Sequence, residues 1–227
     1  MPNQCAAFDL SAACAGFLFG LNVADSFIKS GNAKTIAVIG TEVLTRVVDF
    51  KDRTTCVLFG DGAGAAVVTG DRSGRGVLAT HLSSDGRLTD ALNIPSGGSA
   101  SPASSDTVAN REHFIRMNGR EVFKYAVRYL ADASLKALES SGLKAEDIDK
   151  VVPHQANLRI LDAVGKRIGV PMEKFILNLD RVGNTSSASI PIALDEAVRA
   201  ERIKDNDIIL MTALGGGLSW GSTLIKW

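Results

Sequence analysis

Lys150 to Ile168 reads KVVPHQANLRILDAVGKRI, and within it a short apolar run gives way to a helical pattern. Residues 149–153 read as a strand, and 157–168 place apolar residues at helical spacing. The alternation continues downstream with a strand at 175–178, a helix at 185–200 and strands at 207–213 and 218–226. Upstream, Ala15 to Ser30 has helical spacing with Gly31 as C-cap. Lys34 to Gly40 (KTIAVIG) is rich in β-branched residues, as in a strand buried on both faces. Val57 to Thr69 (VLFGDGAGAAVVT) reads as two strands pressed together, with glycines permitting close approach. Residues 95–110 form a polar excursion, and 118–140 an amphipathic helix ended by Gly142. Such alternation argues for an α/β layered fold around a buried sheet. The Gly-rich segments 59–66 and 214–221 both lead into apolar strands, which suggests two similar halves, 1–110 and 111–227.

The 227 residues carry 25 basic and 25 acidic side chains, a balance that favours neither nucleic acid nor membrane as partner. Three cysteines make a poor disulfide framework and fit a reducing, cytoplasmic compartment. No apolar run reaches transmembrane length, and no signal-peptide pattern opens the chain. Residues 1–8 read like the approach to a buried strand, an abrupt start that suggests further sequence upstream.

Three residues in distant segments could do covalent acyl chemistry together, because each supplies something the others lack. Cys14, in Asp9-Leu-Ser-Ala-Ala-Cys-Ala-Gly-Phe17, opens the 15–30 helix, where unpaired N–H groups and the helix dipole favour a thiolate. An inert buried cysteine fits the same local sequence. Cys5 and Cys56 lack this setting and read as packing residues. His154 follows the strand 149–153, and positions past strand ends are where α/β sheets collect functional groups. A structural histidine is the alternative there. Asn184, in Val182-Gly-Asn-Thr-Ser-Ser187, fits an amide donor or a helix N-cap.

Taken together, Asp9–Phe17, Phe59-Gly-Asp-Gly-Ala-Gly-Ala65, Pro153-His-Gln-Ala-Asn-Leu-Arg159, Gly183-Asn-Thr-Ser186 and Gly215-Gly-Gly-Leu-Ser-Trp-Gly221 resemble β-ketoacyl-acyl-carrier-protein synthase III. The resemblance runs the length of the chain in the family's order. It implies a thiolase-like α-β-α-β-α fold of two pseudo-symmetric halves, the first incomplete here, in a homodimer. It also implies an acyltransferase that condenses an acyl-CoA, often acetyl-CoA, with malonyl-acyl carrier protein to begin fatty acid synthesis, with no permanently bound cofactor or metal. By matching motif, Cys14 accepts the acyl group, while His154 and Asn184 stabilise the enolate left by decarboxylation. The N–H groups of Cys14 and Gly216 form the oxyanion hole, Arg53 meets the CoA nucleotide and Asn157 lies near its pantetheine arm.

An asparagine cannot act as a base, so the pattern suits decarboxylation rather than deprotonation. Arg120, Lys124 and Arg128 recur at i, i+4 and i+8 on one helix face, and Arg159, Lys166 and Arg167 add charge on the 157–168 helix. A solvated surface explains such charge as well. The resemblance favours docking of an acidic carrier protein, with Lys124 and Arg159 the best candidates. The Gly-Asp-Gly run lacks the Lys-Ser/Thr ending of a phosphate loop. Two other readings stay open: a related quinolone or polyketide starter enzyme, and an inactive fragment acting as a binding module. A cysteine protease would need a local motif that is missing. Compared with the family, the first half lacks upstream strands and the clamp on the CoA adenine. The expectation is therefore a native protein longer at its N-terminus, and a 227-residue piece that is poorly soluble or inactive alone.

Overall fold

A computed structural model describes residues 4–227; Met1, Pro2 and Asn3, the start of the expected strand approach, lie outside the described residues. Residues 4–12 form no helix or strand, and Phe8 is exposed, its ring 6.3 Å from that of Phe27. Among the described residues no strand pairs with this apolar run.

A 3-10 turn at Ala13–Ala15 leads into α1 (Gly16–Lys29). Then follow β1 (Thr35–Glu42), β2 (Gly62–Thr69), β3 (Gly76–Ser84), β4 (Leu92–Asn93), α2 (Ser105–Ala109) and β5 (Arg116–Met117). The remainder is α3 (Gly119–Ser141), β6 (Lys150–Pro153), α4 (Leu158–Ile168), α5 (Leu179–Val182), a 3-10 turn at Ser186–Ala188, α6 (Ser189–Arg199), β7 (Ile208–Gly215) and β8 (Ser219–Lys226).

β7 explains the layering. Every residue from Ile209 to Gly215 is buried, because period-2 alternation sends side chains into two cores. Leu210 and Leu214 pack with Leu130 of α3 and Leu161 of α4, while Ile209, Met211 and Ala213 pack with Leu18 of α1 and Ile190 of α6. β7 pairs parallel with β6 and antiparallel with β8, and β8 pairs with β3. β1 and β2 form an antiparallel pair whose inner face, including Val38, Ala66 and Val68, packs on the α1/α6 layer. The described residues thus stack as α3/α4, a four-stranded sheet, α1/α6 and a two-stranded sheet, four of the five layers expected. Ile39 and Val67, on the outer face of the two-stranded sheet, are exposed.

Three expectations are corrected. Val57–Thr69 holds one strand, β2, because residues 58–60 bond the Asn184 segment instead: Gly60 N–H donates to the Asn184 carbonyl and Asn184 N–H to that of Leu58, each at 2.9 Å. The glycines serve packing rather than a hairpin. A Cβ at Gly64 would lie 2.9 Å from the Pro191 ring, so only glycine lets α6 lie this close. Residues 175–178 form no strand either, apart from one bridge between Phe175 and Val151. The fully buried Gln155 side chain takes their backbone groups, donating to the Ile176 carbonyl and accepting from Asn178 N–H, both at 3.1 Å. Thirdly, β3 lies before residue 110 yet extends the sheet of β6–β8, so the 110/111 division does not separate the sheets.

Candidate active site

The turn at Ala13–Ala15 holds Cys14 between the start of α1 and the end of β7. Ala13 adopts φ +46°, a left-handed conformation costing a non-glycine residue about 1–2 kcal/mol. A Cβ at Gly215 would lie 2.4 Å from the Cys14 backbone nitrogen, so the glycine-rich end of β7 is what lets the two backbones meet. Gly216 follows and lines the same apolar groove as Cys14, a space of about 1510 Å³ that also touches Phe17, Leu92, Ser186 and Ser187. His154 and Asn184 are not part of that lining.

His154 sits just past the C-terminal end of β6, anchored by its N–H to the Thr212 carbonyl at 2.8 Å. Its ring is 4 % exposed, and Nδ1 has no hydrogen-bond partner among the described residues. Burial lowers its pKa from 6.5 to about 4, while contact with the Ser186 backbone acts the other way. The imidazole is therefore neutral at pH 7. Asn184 is held on both sides by the 58–60 segment, and its Oδ1 accepts the Ser186 N–H at 2.9 Å. With Oδ1 engaged, Nδ2 is the end of the amide left to donate to a ligand.

Burial opposes the helix-start argument for a Cys14 thiolate. Cys14 is 7 % exposed, and its thiol is pushed from 9.0 to about 11. Desolvation is the main cause; the Ser186 hydroxyl opposes it and the Glu42 carboxylate adds to it. Resting Cys14 is a thiol and His154 a neutral imidazole, so neither carries charge at pH 7. Cys5 is exposed rather than packed, and Cys56 is half-buried; both are free.

Ser186 is the junction that sequence reading missed. Its hydroxyl acts on Cys14, its backbone on His154 and its N–H on Asn184. It too has a left-handed φ, +47°. Among the remaining candidates, Arg53 is exposed in the turn after Asp52. Asn157 is exposed and caps α4, its Oδ1 accepting Arg159 N–H at 2.9 Å. Lys124 on α3 and Arg159 on α4 are exposed on adjacent helices, with the Arg159 guanidinium 6.0 Å from the Phe123 ring centroid. Arg128 and Arg167 pair with Asp132, and Lys166 with Asp162; neither Lys124 nor Arg159 has an ion pair among the described residues.

Among the described residues no helix is long and apolar enough to cross a membrane, and no cluster of His, Cys, Asp or Glu could hold a metal. Residues 8–86 match the 3-oxoacyl-[acyl-carrier-protein] synthase III family, and residues 138–227 match the C-terminal part of the same family. A β-ketoacyl-[acyl-carrier-protein] synthase III of Natranaerobius thermophilus is 50 % identical over 99 % of this chain and 69 % of its own length. The crystal structure of 3-oxoacyl-[acyl-carrier-protein] synthase III from Aquifex aeolicus superposes with a TM-score of 0.90 at 47 % identity, covering 99 % of this chain and 68 % of the other. The priming β-ketosynthase of the R1128 polyketide pathway superposes at 0.84 with 38 % identity, over 96 % and 65 %.

Proposed function

Because the chain belongs to the 3-oxoacyl-[acyl-carrier-protein] synthase III family, we propose that its three buried side chains divide the two half-reactions of an initiating condensation between them. The protein is a condensing acyltransferase of fatty acid synthesis. Its substrates are an acyl-CoA, with acetyl-CoA the expected primer, and malonyl-acyl carrier protein. The observation that supports the division of labour is Ser186, which bonds the Asn184 amide through its N–H and acts on Cys14 and His154.

In the first half-reaction the Cys14 sulfur attacks the thioester carbonyl of acyl-CoA. The new C–S bond forms as the bond to CoA breaks, and the thiol proton leaves with CoA. The N–H groups of Cys14 and Gly216 hold the developing oxyanion; the close packing of β7 on the Cys14 backbone supports that pairing. In the second, malonyl-acyl carrier protein loses CO2, and the electron pair moves towards its thioester oxygen. His154 and the Asn184 Nδ2 donate to that oxygen, and the resulting carbon nucleophile attacks the acyl group on Cys14, releasing the sulfur. A neutral imidazole suits this role, because it can donate one N–H without giving the proton away. Each such donor is worth roughly 10²–10³-fold in rate.

Arg53 and Asn157 contact CoA, Lys124 and Arg159 dock the acidic carrier protein, and the active form is a cytoplasmic homodimer; three free cysteines fit that compartment. Likeness to a priming β-ketosynthase favours a starter enzyme of polyketide synthesis as the second reading. Intact-mass detection of one acyl group on Cys14 after acyl-CoA treatment tests the core of the proposal. Cys14→Ser should abolish the adduct, and an adduct on Cys56 would overturn the assignment. Turnover with fatty-acid against polyketide carrier protein then separates the two readings.

A further inference from the structure

Glu42, the half-buried last residue of β1, aims its carboxylate at the turn that carries the site. Its Oε1 accepts the Ser187 hydroxyl at 2.6 Å and the Ser187 N–H at 3.2 Å. Two residues earlier on the same face, Gly40 packs under the Ser187 carbonyl, where a Cβ would lie 2.5 Å from the oxygen. The end of β1 therefore holds Ser187 by its hydroxyl and N–H and packs closely against its carbonyl.

The first N–H groups of a helix have no partner within it, and a negative charge there is favoured by the helix dipole. The turn's own N-cap, Thr185, makes no capping bond. A carboxylate from a different layer does the work instead. Cys14 and Ser187 are the middle residues of two matching 3-10 turns that open at φ +46° and +47° and lead into the buried helices α1 and α6. Each turn is packed by a glycine at a strand end, Gly215 for Cys14 and Gly40 for Ser187. Only Ser187 of the two is also gripped by a carboxylate, and its neighbour Ser186 donates its N–H to the Asn184 Oδ1 and acts on Cys14 and His154.

We propose that Glu42 is a positioning residue for the condensation: by accepting both donors of Ser187 it fixes the 186–188 turn, and through Ser186 it fixes the Asn184 amide and the His154 ring. The proposal rests on the division of labour argued above. Glu42 is also the charged side chain that acts on the Cys14 thiol, adding to the burial that keeps it protonated.

The test uses the full-length protein with Glu42→Ala and Glu42→Gln. The glutamine keeps an acceptor for Ser187 and removes the charge; the alanine removes both. Glu42→Ala should slow malonyl-carrier-protein decarboxylation on the order of 10²-fold, the scale of a small misplacement of reacting groups, and slow Cys14 acylation much less. Glu42→Gln should restore decarboxylation to within a few-fold of the parent. Alkylation of Cys14 by iodoacetamide reads the same residue without turnover: its pH midpoint should fall in Glu42→Gln. Equal loss of both half-reactions in both variants, with an unmoved alkylation midpoint and a lower melting temperature, would reduce Glu42 to a structural role and overturn the proposal. Parent-like decarboxylation in Glu42→Ala would overturn it too. Failure of the broader reading looks different, since the parent enzyme itself would then neither load an acyl group on Cys14 nor release CO2.

Discussion

Ser186 acts on Cys14 through its hydroxyl, on His154 through its backbone and on Asn184 through its N–H, from a left-handed φ of +47°. A residue type does not announce that geometry. Cysteine, histidine and asparagine were legible because their chemistry is rare and their motifs are long, whereas Ser186 looked like one serine among several. Two predictions belong to single residues. His154→Ala and Asn184→Ala should each slow decarboxylation roughly 10²–10³-fold while acylation of Cys14 suffers far less; single-turnover measurement of CO2 release and acyl-enzyme mass checks the split. Equal loss in both steps would mean that His154 chiefly activates the thiol. The second concerns pH. With His154 at about 4 in the fold against 6.5 normally, the ring stays neutral across the range where an ordinary histidine titrates. Decarboxylation should therefore show no inflection near 6.5 and should fall only towards pH 4. The unfolded chain takes up this proton more readily than the native one. Stability from burying a neutral ring is thus complete above 6.5 and is lost as pH falls through the window towards 4, at most about 1.4 kcal/mol per pH unit. Urea midpoints across that range measure it, and an inflection in decarboxylation at 6.5 would show a solvated ring.

At the scale of elements, what could be read were runs with one clear period. β7 is apolar but for Thr212, and α3 carries an unbroken amphipathic stripe closed by the left-handed Gly142, so both lie within two residues of where periodicity puts them. What could not be read depended on partners far along the chain. The 175–178 run is apolar enough for a strand, yet the Gln155 side chain takes its hydrogen bonds, and no local pattern reveals a buried glutamine's choice. β3 mixes apolar and polar residues in Val77–Ser84, and only β8 makes it a strand. The glycines of β2 were legible as close-approach residues, but not their partner, α6. That contact yields a third prediction. A side chain at position 64 must displace the Pro191 ring, which cannot rotate away, so Gly64→Val should destabilise the full-length protein by about 1–3 kcal/mol, as overpacked cores do. The urea midpoint should fall while m stays constant; an unchanged midpoint would mean that β2 and α6 slide apart freely.

Across the whole molecule, formal charge cancels, so any electrostatic preference must come from how charges are distributed rather than from their sum. The layer of α3 and α4 concentrates basic side chains, and ion pairs within and between these helices engage Arg128, Lys166 and Arg167. Lys124 and Arg159 form no ion pair among the described residues; the Arg159 guanidinium lies by the partly exposed Phe123 ring and the Lys124 ammonium by that of Tyr125. Two exposed cations without ion pairs, beside partly exposed aromatic rings, make a surface on which an acidic protein can gain both steering and burial. The sequence showed the charges but not which were already paired, because the Arg167–Asp132 bridge joins residues on different helices. Lys124→Glu and Arg159→Glu should each raise KM for malonyl-acyl carrier protein several-fold to roughly 10²-fold, mostly through slower association. The defect should shrink as salt is raised, since exposed charges are screened beyond about 10 Å at 0.1 M ionic strength. Acylation by a CoA primer should change little, and reversing Arg128, which already has an acidic neighbour, should matter less than reversing Lys124. Steady-state kinetics with malonyl-carrier protein at two ionic strengths checks all of this. If the charge reversals leave KM unchanged at low salt, α3 and α4 present only a solvated surface and the carrier protein docks elsewhere.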